Sequence, residues 1–290
     1  MDATAPRASN TTLRISCLQS HGIPGDIAYN LAEIDNAAEQ AARQGADLLI
    51  TPEMFVTGYD CGPLPPLFAQ GYDFPRCVAD IASRHRLAIL AGLPLALPGG
   101  GIGNSAIFVD YAGTVLAEHT KTHFYGDLDN SRFTAGPQAP TMLTYRGVTI
   151  AILICIELEY PELPRMAAVA GAELIAVLTS NMEPYTGINE HLVWTRAWEN
   201  QTHVAYVNRC GSELATDYPG LSSIYGPHGN LLARGGDEPA LLTADIEPAA
   251  VIAARRDFHY LAGRRPRLYS ALTHATTSGV APPPPSATLT

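Results

Sequence analysis

Short aliphatic runs alternate with longer amphipathic ones from the beginning of the chain. Leu13 to Leu18 has the composition of a strand, and Asp47 to Thr51 has it again. Between them, Ile27 to Gln44 carries Leu31, Ile34, Ala38 and Ala41 at the spacing of one helix face, so the opening is predicted to be a βαβ unit. A helix around Arg76 to His85 and a strand over Leu87 to Gly92 follow. Two further strands, Asn104 to Tyr111 and Thr114 to Thr120, flank a tight turn at Ala112-Gly113 and read as a hairpin. Val148 to Leu153 is a strand, Pro161 to Ala170 a helix, Leu174 to Thr179 a strand, Asn189 to Asn200 a long helix and His203 to Asn208 a strand. A second hairpin spans Ser222 to Arg234 and turns at His228-Gly229-Asn230, after which Ala240 to Ile246 is the last strand.

Such a mixture of βα units and hairpins predicts an α+β chain of mixed sheets with helices on their outer faces. No internal repeat or composition break divides it. One folded domain over residues 13–270 is expected, after a flexible extension at 1–12 and before a flexible tail at 271–290. In that tail Pro282-Pro283-Pro284-Pro285 stands among small polar residues with too little apolar surface to order themselves.

Composition narrows the function classes. A chain of 290 residues, 47% hydrophobic and 16% charged, holds ample material for a large core. Lys+Arg 18 against Asp+Glu 28 gives a net charge of −10, and no basic run offers a phosphate-binding patch, which argues against nucleic acid. Arg255, Arg256, Arg264, Arg265 and Arg267 crowd near the C-terminus and read as surface ion-pairing groups. Neither a signal-peptide layout nor an apolar run of the ~18 residues that span a bilayer is found, so a cytoplasmic protein without a membrane partner is expected. The five cysteines are odd in number, scattered and never in a CxxC pair, which predicts reduced thiols and no zinc site. The glycines of Pro98 to Asn104 precede a strand rather than a helix, so they form a connection and not a phosphate cradle.

Cys155 directly follows the apolar run Val148 to Ile154 and precedes a helix start at Pro161-Glu162. A cysteine after a strand is more often a small core residue. At a strand-to-helix bend, however, the thiol reaches a cleft and lies near backbone N–H groups that favour the thiolate. The words around it decide between the two. Ile154-Cys155-Ile156-Glu157-Leu158-Glu159-Tyr160-Pro161-Glu162 resembles the nucleophile segment of the nitrilase, or carbon–nitrogen hydrolase, superfamily, commonly written C-Y-D-x-x-F-P-E. Thr51-Pro52-Glu53-Met54-Phe55-Val56-Thr57-Gly58-Tyr59 is similar to its P-E-x-x-x-x-G-Y segment, and Lys121-Thr122-His123-Phe124 to its K-x-H-[LF] segment.

The resemblance covers Leu13 to Arg267 and implies a four-layer αββα fold, commonly paired into a homodimer or larger assembly. It assigns Cys155 as nucleophile, Glu53 as general base and Lys121 as oxyanion stabiliser, helped by the backbone N–H of Ile156. No metal or organic cofactor is implied. The residues support these roles chemically. Burial raises a carboxyl pKa and suits Glu53 to take a proton from a thiol, while an ammonium at Lys121 would meet negative charge developing on a carbonyl oxygen. A Glu53–Lys121 ion pair that ties two loops is the plainer alternative.

Asp129 occupies the place of the family's second glutamate, one methylene shorter, and Glu157 stands where the pattern has Asp; for each, a structural salt bridge weighs as much as a direct role. Asn181, Glu183 and Tyr185, in the loop after Leu174 to Thr179, together with Tyr59, are candidate substrate contacts, Glu183 being suited to an ammonium group. Arg196 and Glu199 lie in a stretch similar to the family's R-A-x-E-N helix and read as a supporting surface pair. The phrasing around Glu53, Asp129 and Glu183 is most similar to stereoselective amidases acting on amino-acid amides. N-carbamoyl-amine hydrolases and nitrilases would use the same trio, and a noncatalytic scaffold would not need it.

Overall fold

The computed structural model describes residues 12–138, 140–270 and 272. The expected N-terminal extension and Pro-rich tail thus lie outside the described residues, apart from Thr12 and Leu272.

The chain enters as β1 (Leu13–Gln19), α1 (Ile27–Arg43) and β2 (Leu48–Ile50), the expected βαβ unit. A short α2 (Pro65–Phe68) and α3 (Phe74–His85) lead to β3 (Ala88–Ala96), β4 (Ile102–Val109) and β5 (Val115–Thr120). After α4 (Gly126–Arg132) come β6 (Thr141–Tyr145), β7 (Val148–Ile154), α5 (Glu162–Val169) and β8 (Leu174–Leu178). Then follow α6 (Val193–Asn200), β9 (His203–Val207), β10 (Cys210–Glu213), β11 (Thr216–Pro219), β12 (Ser223–Tyr225), β13 (Leu231–Arg234), β14 (Ala240–Ile246) and α7 (Pro248–Asp257).

Among the described residues the strands form two six-stranded mixed sheets, ordered β14-β1-β2-β3-β4-β5 and β13-β12-β9-β8-β7-β6, with β10-β11 as a separate hairpin. Alternation along each strand builds the layers, because successive side chains point to opposite faces. Leu13, Ile15, Cys17, Leu48, Ile50 and Leu90 pack with Ile150, Ile152, Ile154, Leu174 and Ala176 between the two sheets. Their neighbours Leu49, Ile89 and Ala91 turn outward under α1 and α3, and Ala151, Leu153, Ile175 and Val177 turn outward under α5 and α6. The central strands β2, β3, β7 and β8 are therefore apolar on both faces, and the molecule is an αββα sandwich.

Capping fixes where the outer helices begin. Asp26 accepts from the Tyr29 amide at 3.0 Å and Asp73 from the Arg76 amide at 3.1 Å, each contact contributing about 1 kcal/mol. α1 lays Ile27, Ile34, Ala37, Ala38 and Ala41 onto its sheet, the alanines allowing close approach. No helix among the described residues is long and apolar enough to cross a membrane.

Several elements differ from the sequence expectation. β4 starts inside the glycine-rich stretch, at Ile102. The helix expected from Asn189 starts as a wide, underwound π turn over Ile188–Leu192 before α6 begins. α2, α4, β6, β10, β11 and α7 were not expected. All are short or carry no clean apolar period, so tertiary packing rather than local pattern forms them.

Candidate active site

The ends of four strands deliver the site. Glu53 lies just beyond β2, Lys121 directly after β5, Cys155 directly after β7 and Ser180 just beyond β8. Two tight backbone pivots aim the first and third: Met54 and Cys155 both have φ of 51°, a left-handed conformation that costs a non-glycine residue of order 1–3 kcal/mol. The Glu53 turn also presses on β3 where residue 92 is glycine. A Cβ there would collide with the Pro52 carbonyl oxygen and stand 2.7 Å from the Met54 amide nitrogen.

Glu53, Lys121 and Asp129 form one fully buried charge cluster. The Lys121 ammonium donates to Glu53 Oε1 at 2.7 Å and to Asp129 Oδ2 at 2.7 Å. Asn104 Nδ2 donates to the same Glu53 oxygen at 2.7 Å, and the Ser180 amide donates to Oε2 at 2.9 Å. Asp129 is held in turn by the Tyr59 hydroxyl at 2.9 Å and the Tyr125 amide at 3.0 Å. The alternative ion pair is thus real, and it sits around the thiol. Lys121 and Glu53 both act electrostatically on Cys155, and the Thr179 side chain favours its thiolate.

Burial governs how these groups hold protons. It raises the Glu53 carboxyl, with Lys121 opposing. It raises the Cys155 thiol, reinforced by the Glu53 charge and opposed by Lys121. For Lys121, burial pulls downward, but Glu53, Cys155 and Asp129 outweigh it and hold the ammonium above its ordinary value. The resulting arrangement places a protonated thiol beside a carboxylate of raised basicity and a firmly charged lysine.

Glu157 is placed differently from a substrate contact. It is fully buried, with Oε2 2.7 Å from both His119 Nε2 and the Ile154 amide. Its Oε1 accepts from the Thr122 amide at 2.7 Å and from the Thr122 hydroxyl at 2.6 Å. Burial alone would raise this carboxyl, yet His119 and Thr122 outweigh it and hold it below the ordinary range. Glu157 therefore clamps the turn after Cys155 to the segment after Lys121. Ile156, beside the nucleophile position, is half-buried.

The loop after β8 divides its residues. Asn181 is buried and donates to the Tyr185 carbonyl at 3.1 Å and to Asn189 Oδ1 at 2.5 Å, so it shapes the loop. Glu183 is exposed to solvent, unlike the half-buried carboxylate that an ammonium contact calls for, and its amide bonds the Asp217 carbonyl at 2.9 Å. Tyr185 is 46% exposed and meets Tyr125 edge to face, ring centroids 5.9 Å apart. Tyr59 is buried, with its hydroxyl spent on Asp129. Arg196 is 6% exposed rather than a surface residue, and besides Glu199 it binds the Leu158 and Glu159 carbonyls at 2.9 and 2.6 Å.

Sequence reasoning passed over four supporting residues. Asn104 is a lone amide in an apolar strand, which was the available signal. His119 likewise interrupts β5. Arg209 and Glu213 form a fully buried pair at 2.8 Å, and Glu213 also accepts from the Tyr59 and Asp60 amides at 3.0 and 2.9 Å, fastening the loop beyond Glu53. Nothing local marks that pair, since its partners lie some 150 residues away in sequence, the Tyr59 contact at a separation of 154.

Comparison with known proteins agrees with this geometry. The carbon–nitrogen hydrolase family model matches residues 14–256. A hydrolase encoded in the pqqF 5′ region of Pseudomonas protegens is 38% identical over 90% of this chain and 92% of its own length. An (R)-stereoselective amidase from Pseudomonas sp. is 32% identical over 87% of this chain and 92% of its own. The crystal structure of an amidase from Nesterenkonia sp. superposes with a TM-score of 0.81 at 33% identity, covering 93% of this chain and 100% of that one. The chain belongs to the carbon–nitrogen hydrolase family, the nitrilase superfamily of enzymes acting on carbon–nitrogen bonds.

Proposed function

We propose that the protein is an amidase that hydrolyses small carboxamides, amino-acid amides among them, to a carboxylic acid and ammonia through a thioester on Cys155. The observation that carries this reading is the buried Glu53–Lys121–Asp129 cluster set around the Cys155 thiol. Glu53, made more basic by burial, takes the thiol proton as sulfur attacks the amide carbon. The Lys121 ammonium and the Ile156 N–H stabilise the oxyanion. Glu53 then passes the proton to the leaving nitrogen, the C–N bond breaks and ammonia departs. Water, deprotonated by Glu53, attacks the thioester carbon, and the released thiolate recovers the proton. Asp129 orients Lys121 throughout.

The relatives support the same chemistry. A variant of the Nesterenkonia sp. AN1 amidase carries the acetamide moiety of fluoroacetamide added covalently at its active-site cysteine. Pairing into a homodimer or larger assembly fits the exposed Met166 and Val169 on α5, 50% and 53% exposed in a groove that Tyr260 and Arg264 also line. Ammonia release from a panel of carboxamides, N-carbamoyl amines and nitriles tests the activity. Carboxamides are expected to be the best substrates; release confined to carbamoyl amines or nitriles would replace the amidase reading with one of those.

A further inference from the structure

Glu159 stands four residues beyond the nucleophile, at the end of the turn Cys155–Leu158. It is half-buried. The backbone around it is fixed, because Arg196 binds the Leu158 and Glu159 carbonyls and the Glu159 amide bonds the Ile156 carbonyl at 2.9 Å. Its carboxylate, by contrast, has no hydrogen-bond or ion-pair partner among the described residues. Glu159 closes the turn that begins at Cys155, and its charge acts on Cys155, Tyr125 and Tyr206.

The cations in reach are both committed elsewhere. Lys121 is shared between Glu53 and Asp129, and Arg196 spends itself on Glu199 at 2.8 Å and on the two carbonyls. Their charge still acts on Glu159 through space, but burial is the larger influence and raises its carboxyl above the ordinary range. A half-buried carboxylate lacking its own cation is costly, and the cost is relieved by a ligand that brings one. The rim above it is aromatic: Tyr125 against Tyr185, and His123 against Tyr160 with ring centroids 4.5 Å apart. The tyrosine rings bring no formal charge of their own, and Glu183 is out in solvent.

We propose that Glu159 is the specificity-determining carboxylate of this site, pairing with an ammonium group that the substrate carries next to its scissile carboxamide. The inference rests on the carboxamide-hydrolase reading above and names the substrate class within it. The Cys155 sulfur addresses the carbonyl carbon while Glu159, on the same rigid turn, fixes the neighbouring cation, so the two contacts set which way the substrate enters.

The test is kcat/KM for an amino-acid amide and for its des-amino analogue, in wild type, Glu159→Gln and Glu159→Lys. Wild type should prefer the amino-acid amide, and Glu159→Gln should cut that preference ratio by about tenfold or more, since a charge-assisted contact is lost. Glu159→Lys should turn the preference toward amides bearing a carboxylate. In wild type the preference should fade on acidification as Glu159 takes up a proton, at a pH above the ordinary carboxylate range, and this pH dependence should be missing in Glu159→Gln; a merely structural role would not produce it. An unchanged ratio in Glu159→Gln, with both amides still cleaved, overturns the proposal and leaves the amidase reading standing. If wild type releases ammonia from no carboxamide, that reading fails instead, and the same ratio is taken on amino and des-amino carbamoyl amines or nitriles, whichever turns over.

Discussion

The floor of the cleft and its mouth are built on opposite principles. On the floor, Glu53, Lys121 and Asp129 have no exposed surface to speak of, and each charged atom is met by a partner at 2.7 to 3.0 Å. At the mouth, Tyr185 and Tyr125 are 46% and 36% exposed, Glu183 is in solvent and Glu159 has no partner of its own among the described residues. A satisfied buried network is rigid and tolerates little change, because removing one member strands a charge in low dielectric. Unsatisfied groups at a rim wait for a ligand. In the proposed mechanism the floor carries the chemistry, and the mouth carries what distinguishes one substrate from another.

The most severe way to break the floor is Cys155→Ala. Turnover should fall by at least about 10⁴-fold, since no other group on the floor can form the thioester. Circular dichroism should be unchanged, because the substitution removes only a sulfur from a half-buried position. Glu53→Gln should follow, at about 10³-fold, as it deletes the proton carrier of both half-reactions. Asp129→Asn should cost less, about 10- to 100-fold, because Lys121 would keep its bond to Glu53. Equal loss in the two variants would mean that Asp129 itself handles protons. The same comparison has a pH signature. Glu53 must be unprotonated to act, and burial raises its carboxyl. Activity should thus fall, about tenfold per pH unit, as pH drops below a value above the usual ~4.3 of glutamate.

Stability separates the two regions further. Glu157→Gln should lower thermal stability by about 3 kcal/mol, since it breaks a buried carboxylate's pairing with His119 and weakens its contacts to Thr122. The wild-type carboxyl is held below its unfolded value, so the stabilisation is present above the unfolded pKa and is lost as pH falls through the depressed folded one. Thermal melts across that acid range, wild type against Glu157→Gln, check the sign. Glu183→Gln should be the mildest change, within about twofold in kcat/KM, as expected for an exposed side chain. A loss comparable to that of Asp129→Asn would draw Glu183 back into the pocket.

How much of this the sequence disclosed follows the same division. The three strand-end segments around Glu53, Lys121 and Cys155 are local words, and the turn geometry that aims them is local too, so they were legible. The helices with a clean apolar period and a capping Asp, α1 and α3, were legible for the same reason. Glu159 was not. It lies inside the nucleophile segment, but only the engagement of Arg196 and Lys121 with other groups leaves its carboxylate without a partner among the described residues, and that is a tertiary fact. Arg196 was read as a surface residue from its spacing to Glu199, yet α6 turns it inward onto the Leu158 and Glu159 carbonyls. Asp129 could be placed by order along the chain, whereas α4, which presents it to Lys121, is a polar seven-residue helix with no period to read.

The central claim is that Cys155, served by Glu53 and Lys121, carries the acyl group during turnover. It is tested most directly by quenching wild-type protein in acid while it is hydrolysing a carboxamide, then measuring intact mass and mapping the modified peptide. The account predicts a mass increase equal to the acyl group, located on the peptide that contains Cys155 and missing from Cys155→Ala. An adduct on Cys17, Cys61, Cys77 or Cys210 instead, or steady turnover by Cys155→Ala, would contradict it.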